Sequence, residues 1–307
     1  MTQQPSPPRP PRLTEVADHV FAYLQPDGGW CLNNAGVVVA DGRTALIDTA
    51  ATEDRARALA RAVSTVAPRP PRYVLNTHPH GDHTFGNFVF ADEAVIIAHE
   101  GTRGEMAEAG LHLTGLWPDV RWGDLSVELP SLTFSRTATV HVGEIPVRMM
   151  HLGVAHTTND SVVWLPDQGV LFTGDVVMSG TTPFCLTGSV AGSLEVIGRL
   201  RALGPRTVVS GHGPVGGPEL FDIAEGYLRT VQRIAAEGLA AGLDPLTAAR
   251  EADLGEYAGL LDSERLVPNL HRAYAEAGGA PPGQPLDIGL LFAEMVDING
   301  GLPACHA

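Results

Sequence analysis

Four side chains of the kind that bind metal ions follow one predicted strand, and this cluster constrains the fold more than any other feature. The predicted strand Tyr73–Asn76 runs into a loop that carries His78, His80, Asp82 and His83. On an extended loop His78 and His80 point to one side and are expected to share a metal ion, while Asp82 and His83 turn to a second. Burying these groups without a metal would cost much desolvation energy. The ligand types suit zinc, with iron or manganese as alternatives.

The remaining chain alternates β-rich and helical runs. Hairpin turns are predicted at residues 41–42, at Gly143 and at residues 166–169. Helices are predicted over Thr52–Val66, Glu100–Ala109, Leu220–Glu237, Pro245–Ala252, Ser263–Ala277 and Ile288–Val296. This alternation predicts an α/β fold in which mixed sheets are covered by helices.

Two pairs of segments resemble each other within the chain. Residues 71–78 align with residues 205–212, and residues 36–49 align with residues 161–174. The pairs predict two βα-type halves, each with a strand that ends in a histidine. The histidine-bearing strand ends would then meet at one edge of the structure, where α/β proteins usually place their sites.

Three regions are predicted along the sequence. Residues 1–12 have the composition of a disordered, proline-rich leader. Residues 13–217 form the predicted α/β domain, and residues 218–307 form a helical region packed on it.

Composition excludes several classes of function. Acidic residues outnumber basic ones 35 to 20, and the net charge of −15 disfavours binding to nucleic acid or to anionic membranes. No apolar run approaches the ~20 residues of a membrane span, and the N-terminus lacks a secretory pattern, so a cytoplasmic protein is expected. The three cysteines are too few and too scattered for a disulfide framework.

The H-x-H-x-D-H run resembles the signature of the metallo-β-lactamase fold superfamily. Downstream, His156, Asp175 and His212 resemble the remaining ligands in the expected order, and Asp48 matches an aspartate that supports the site loop. The resemblance covers about residues 15–215 and implies an αββα sandwich with a C-terminal helical extension. It also implies two Zn²⁺ ions: one bound by His78, His80 and His156, the other by Asp82, His83 and His212, with Asp175 bridging them.

The implied chemistry is attack of water on an activated carbonyl such as a thioester, lactone or lactam. Water between two zinc ions loses its proton near neutral pH, and the metals polarise the carbonyl. Asp82 and Asp175 are the predicted catalytic residues. Asp82 would also orient the water or move a proton to the leaving group.

Several branches of the superfamily fit less well than others. The well-known zinc β-lactamases are exported and lack the bridging aspartate or use a cysteine ligand; here Asp175 is present. Nuclease branches need a basic surface, and the persulfide dioxygenases use a single iron. Glyoxalase-type thioester hydrolases and lactonases fit the ligand set.

A closer resemblance is to the metallo-β-lactamase-fold cyclases of aromatic polyketide pathways, the second-ring cyclases of the actinorhodin type. It is carried by residues 28–31, 113–123, 156–160 and 182–193. The resemblance implies ring closure on a polyketide bound to an acyl carrier protein, followed by thioester hydrolysis. The substrate pocket is predicted to include the following loop residues: Trp30, Trp117, Trp122, Phe184 and Cys185.

Two other interpretations stay open at this point. A general lactonase or small-thioester hydrolase would use the same metal ligands on small aliphatic substrates. A metal-binding interaction protein without catalytic activity would use the same fold. No partner beyond the carrier protein or a small-molecule thioester is predicted, and the oligomeric state is left open.

Overall fold

The computed structural model describes residues 10–307, and its first sheet has seven strands in sequence order. The first four strands pair antiparallel and the last three continue the sheet in parallel. The strands are β1 Arg12–Ala17, β2 Val20–Leu24, β3 Ala35–Ala40, β4 Arg43–Ile47, β5 Tyr73–Leu75, β6 Val95–His99 and β7 Leu132–Phe134.

The second sheet has five strands in the order β12-β11-β10-β9-β8. Its β11–β12 pair is parallel and the other pairs are antiparallel. The strands are β8 Thr137–Val142, β9 Ile145–His151, β10 Ser161–Leu165, β11 Val170–Phe172 and β12 Thr207–Val209.

Helices cover the outer faces of both sheets. Thr52, predicted as the first residue of the first helix, instead caps it through its side chain. The longest helix ends at Gly242 in the left-handed conformation. The helices are α1 Glu53–Ser64, α2 Gly81–Thr84, α3 Glu100–Ala109, α4 Val190–Ala202, α5 Glu219–Ala241, α6 Pro245–Glu251, α7 Leu266–Ala277 and α8 Ile288–Asn299.

Three apolar layers hold these elements together. Strand residues that alternate inward from both sheets, such as Ile47 and Val163, form the layer between the sheets. The outer face of the first sheet packs on α1 through Leu59. The outer face of the second sheet packs on α4, α5 and α7, where Phe221 is fully buried. The order of layers is therefore helix, sheet, sheet, helix, and the predicted αββα sandwich with C-terminal helices is confirmed.

The repeat seen in the sequence corresponds to a repeated topology. The β3–β4 hairpin is followed by α1 and then by β5, which lies parallel to β4. The β10–β11 hairpin is followed by α4 and then by β12, which lies parallel to β11. Each of these units ends in a strand whose following loop carries histidine.

Some boundaries differ from the sequence-based expectation or are untested by the structure. Of the predicted leader, residues 1–9 lie outside the described residues, and Arg12 begins β1. The predicted domain boundary near residue 217 stays a prediction; α5 begins at Glu219, and its apolar face packs in the same layer as the second sheet. Among the described residues, no helix has the length and apolar character needed to cross a membrane.

Candidate metal centre

The loop after β5 and helix α2 present the first set of ligand-type side chains. His78 and His80 lie in the loop, and Asp82 and His83 lie in the first turn of α2. His78 and His83 are fully buried, whereas His80 remains partly accessible. The His78 and His83 ring centroids are 4.2 Å apart, and the four ligands fall into two groups as the sequence predicts.

Strand ends of the second sheet supply the other three side chains. His156 lies in the loop between β9 and β10. Asp175 lies in the short turn after β11, and His212 follows β12. The structure brings all seven predicted ligands together, at the edge where strands of both sheets end.

The seven side chains form two adjoining groups. The first contains His78, His80, His156 and Asp175, and the second contains Asp82, His83 and His212; the ligand atoms within each group lie within 4.8 Å of one another. Two groups of this composition match the preference of zinc for imidazole and carboxylate ligands.

Asp175 connects the two groups. Its Oδ2 lies 3.5 Å from His156 Nε2 and 3.8 Å from His78 Nε2 in the first group. The same oxygen lies 3.4 Å from His212 Nε2, and Oδ1 lies 3.1 Å from His83 Nε2 in the second group. One carboxylate therefore faces ligand atoms of both groups, as a bridging ligand must.

Hydrogen bonds to Nδ1 fix how the outer histidines face the centre. His156 Nδ1 lies 2.5 Å from the carbonyl oxygen of Phe184, and His212 Nδ1 lies 3.0 Å from that of Gly28. A carbonyl can only accept, so in both rings Nδ1 carries a proton and Nε2 is the nitrogen that faces the centre. The sequence analysis did not predict that these two backbone carbonyls orient ligands, because every residue has a carbonyl and no side-chain pattern distinguishes these two.

Asp48, which follows the last residue of β4, holds the ligand loop in place through hydrogen bonds. Its Oδ1 accepts from the backbone N–H of Thr77 at 2.8 Å, and its Oδ2 accepts from the Thr77 hydroxyl at 2.7 Å. Oδ2 also lies 2.9 Å from His83 Nδ1. Thr77 Oγ1 in turn lies 3.0 Å from His78 Nδ1. One buried carboxylate thus orients histidines of both groups.

Several buried ligand atoms lack a partner within the described structure, which tests whether a metal fits. His78 Nε2, His83 Nε2 and Asp175 Oδ1 are buried and make no hydrogen bond. Because His156 carries its proton on Nδ1, its Nε2 accepts a hydrogen bond from His80 Nδ1 at 2.9 Å. Unpaired buried polar atoms are costly, so the residues present fit bound metal ions.

The protein's own charges divide the histidines into two classes. Burial lowers the pKa of His156 to about 3, aided by neighbouring His80, and it lowers the pKa of His78 well below its ordinary value. Burial would also lower the pKa of His212, but the Asp175 and Asp82 carboxylates together outweigh it and raise that pKa to about 9. The first group therefore presents neutral imidazoles at His78 and His156, whereas the carboxylates favour protonation of His212 in the second group.

Of the predicted pocket residues, Trp30 and Phe184 lie beside the centre. The Phe184 ring centroid is 6.0 Å from that of His156 and 5.4 Å from that of Trp30. Both side chains are partly exposed. Trp30 follows Gly28 in the loop that orients His212, so each of these aromatic residues belongs to a loop that positions a ligand.

The other three predicted pocket residues are buried, and their assignment to the pocket stays a prediction; the Trp117 ring centroid lies 5.4 Å from that of Trp30. Trp117 is 3% exposed and its indole N–H donates to the Pro303 carbonyl at 2.7 Å. Trp122 packs edge-on against Phe85. Cys185 lies in the apolar layer under the C-terminal helices. Proximity to the motif in sequence did not determine which way these side chains turn.

Comparisons with known proteins agree with this geometry. Residues 28–212, more than half of the chain, match the family described as the metallo-beta-lactamase superfamily. A protein of Bacteroides fragilis named metallo-beta-lactamase type 2 is 26% identical over 220 residues, which are 68% of this chain and 82% of the relative. The alpha subunit of 2,4-dinitroanisole O-demethylase from Nocardioides sp. (strain JS1661) is 27% identical over 56% of this chain and 45% of its own length.

A solved structure shows the same fold. The metallo-beta-lactamase from Pontibacter korlensis superposes with a TM-score of 0.61 at 21% sequence identity, covering 72% of this chain and 99% of that protein.

Proposed function

The chain belongs to the metallo-beta-lactamase superfamily, and from this premise we propose that it is a two-zinc hydrolase acting on an activated carbonyl. We further propose that the carbonyl is the thioester of an aromatic polyketide on an acyl carrier protein, which the enzyme cyclises and releases in the cytoplasm. The observation that supports the two-metal site most strongly is the position of Asp175, which faces ligand atoms of both groups.

The ligand side chains define what the site can do. When bound, zinc ions lower the pKa of coordinated water and polarise a carbonyl oxygen. His78, His80 and His156 would hold one ion and Asp82, His83 and His212 the other, with Asp175 between them. The Nδ1 hydrogen bonds keep the rings fixed before substrate arrives, so little reorganisation is needed during the reaction.

Asp82 is the residue best placed to move a proton. Its side chain is 12% exposed, compared with 4% for Asp175, so a substrate can approach it. Burial would raise its pKa, but His83 and His212 hold that pKa well below the usual range. Asp82 is therefore a carboxylate at neutral pH, able to accept a proton from water or to orient it toward the carbonyl.

The polyketide part of the proposal draws on the aromatic residues beside the centre. Phe184 and Trp30 meet edge to face, and flat rings of this kind favour flat, unsaturated acyl groups. The name of the Nocardioides relative also refers to a substituted aromatic compound. A small aliphatic thioester or lactone would use little of this aromatic surface.

The test uses zinc-loaded protein and a bicyclic polyketide thioester of N-acetylcysteamine, followed by mass spectrometry. Loss of water would report ring closure, and release of the thiol would report hydrolysis. Asp82→Asn should abolish both, while the exposed control Asp92→Asn should leave them unchanged. Turnover of a simple lactone or acetyl thioester with no reaction of the polyketide would overturn the polyketide assignment and leave the hydrolase standing.

A second candidate activity is hydrolysis of a β-lactam amide. The similarity to the Bacteroides fragilis protein spans 82% of that relative, and an amide carbonyl could occupy the same site. A chromogenic cephalosporin tests it directly. Zinc-dependent colour development that is lost in Asp82→Asn would favour this activity. A zinc-loaded protein inert to cephalosporin, thioester and lactone alike would instead indicate a non-catalytic metal-binding protein.

A further inference from the structure

A fully buried arginine from the C-terminal region lies against the two aromatic residues of the centre. Arg265 is 1% exposed and precedes α7. Its guanidinium carbon lies 4.0 Å from the centroid of the Trp30 ring and 5.7 Å from that of Phe184. A desolvated guanidinium over an aromatic face is a favourable cation–π arrangement.

Both Nη atoms of the guanidinium make polar contacts, whereas Nε makes no hydrogen bond within the described residues. Nη2 pairs with Asp262 Oδ2 at 2.9 Å, and Nη1 donates to the carbonyl oxygen of Thr182 at 3.2 Å. Thr182 belongs to the same loop as Phe184. The ion pair offsets the cost of burying the charge, and the planar group is held in one orientation relative to both rings.

Glu264, the residue before Arg265, contacts the polar edge of the Trp30 ring. The Trp30 indole N–H donates to Glu264 Oε1 at 2.6 Å. Trp30 is therefore held through its ring face by Arg265 and through its polar edge by Glu264. The C-terminal helical region thus sets the position of an aromatic side chain that the first half of the chain supplies.

The two aromatic residues are also tied to the metal ligands. Phe184 accepts a hydrogen bond from His156 through its own carbonyl, and Trp30 lies two residues after Gly28, whose carbonyl faces His212. His156 belongs to the first group of ligands and His212 to the second. The aromatic pair is therefore anchored beside both groups.

We propose that Arg265 is a specificity-determining positioning residue, which holds Trp30 and Phe184 as a rigid aromatic wall so that the centre accepts flat aromatic acyl groups. This inference rests on the proposed carbonyl hydrolase function and specifies its substrate class. Arg265 acts through the two rings and is not itself a catalytic residue. Two rings held in one orientation lose little conformational entropy when an acyl group binds. The resulting gain in binding affinity is confined to acyl groups large enough to contact both rings.

The test compares Arg265→Met with the matched control Arg272→Met. Arg272 is also fully buried and donates to two loop carbonyls, those of Leu186 and Gln284. Within residues 10–307 it lies over no aromatic ring. Both variants are loaded with zinc, and kcat and KM are measured with 2-naphthoyl and acetyl thioesters of N-acetylcysteamine. Binding of 2-naphthoate is measured by calorimetry.

In Arg265→Met, KM for the naphthoyl thioester and Kd for 2-naphthoate should rise about tenfold. Its kcat, and both constants for the acetyl thioester, should stay within about threefold. Arg272→Met should show no such selectivity. Equal losses on both substrates, or the same pattern in Arg272→Met, would overturn the inference and indicate a merely structural role.

Two further measurements keep the inference independent of folding and of turnover. Phe184→Leu keeps Arg265 and its ion pair but removes one ring. It should raise KM for the naphthoyl thioester and Kd for 2-naphthoate without affecting the acetyl thioester. An unchanged naphthoate Kd in this variant would overturn the inference that the two rings contact the acyl group. If the wild-type protein hydrolyses neither thioester, the thioesterase part of the proposed function fails. The naphthoate Kd of the wild type compared with that of Arg265→Met still decides whether Arg265 positions the two rings for aromatic ligands.

Discussion

The brace formed by Asp48 permits a quantitative prediction for the variant Asp48→Asn. The carboxylate accepts from the Thr77 N–H at one oxygen, and its other oxygen faces the Thr77 hydroxyl and His83 Nδ1. In the variant, the amide oxygen can keep the bond to the Thr77 N–H. The amide NH₂ then faces His83 Nδ1, so two donors meet.

The conflict is relieved only if His83 changes its tautomer or turns. A proton moved from Nδ1 to Nε2 of His83 would occupy the lone pair that faces Asp175 and the second group of ligands. Loss of an orienting partner of a ligand histidine typically costs 10–100-fold in metal affinity, or about 1.4–2.8 kcal/mol. The second zinc ion should therefore bind about 10–100-fold more weakly in Asp48→Asn.

Competition with a chromophoric chelator measures this effect as two stepwise zinc constants. Asp160→Asn is the matched control, because Asp160 is also buried and accepts from the N–H and hydroxyl of one threonine, Thr157, at 2.8 and 2.7 Å. Its carboxylate contacts no histidine ring among the described residues. The reasoning is refuted if Asp48→Asn binds the second zinc as tightly as wild type, or if Asp160→Asn weakens it as much.

Two other perturbations have defined outcomes. Gly211→Ala would place a Cβ 1.9 Å from Asp175 Oδ1. We therefore expect the free energy of unfolding, measured by urea denaturation, to fall by about 1–3 kcal/mol, and metal analysis to show loss of zinc. A Gly211→Ala variant as stable as the wild type would contradict this. Because the Asp175 and Asp82 carboxylates together outweigh burial and raise the pKa of His212 to about 9, zinc must displace a proton there at lower pH. Affinity for the second zinc should then rise about tenfold per pH unit toward that pKa, and calorimetry in two buffers with different ionisation heats should detect the released proton; a pH-independent affinity would show that His212 is already neutral.

Elements with strong local patterns could be predicted from the sequence. The helix Glu100–Ala109 has the predicted bounds, and α1 differs from its prediction by one or two residues at each end because Thr52 caps it from outside. Strand β7 was not predicted, since it has three residues and lies at the sheet edge with largely exposed side chains. Alternating burial, the signal for a strand, is absent there.

The clustered ligands His78, His80, Asp82 and His83 could be predicted from their spacing after one strand. The other three ligands, His156, Asp175 and His212, were predicted only through the resemblance to the superfamily. The surroundings of the ligands could not be predicted. Arg265 lies in a predicted helix far from the motif, and nothing local distinguishes it from a surface arginine. Trp122 and Cys185 are near the ligands in sequence, but the direction of a loop side chain depends on which apolar layer has room for it. Only tertiary packing supplies that information.

The division of ligands between the two halves of the chain has a consequence for folding. His78 and His80 follow the first sheet's β5, whereas His156 and Asp175 come from loops of the second sheet. A metal bound by such a set acts as a cross-link between distant chain segments, and its closure of a long loop lowers the entropy of partly unfolded forms. Metal binding would therefore stabilise the packing of one sheet on the other, because each group of ligands draws on both halves of the chain.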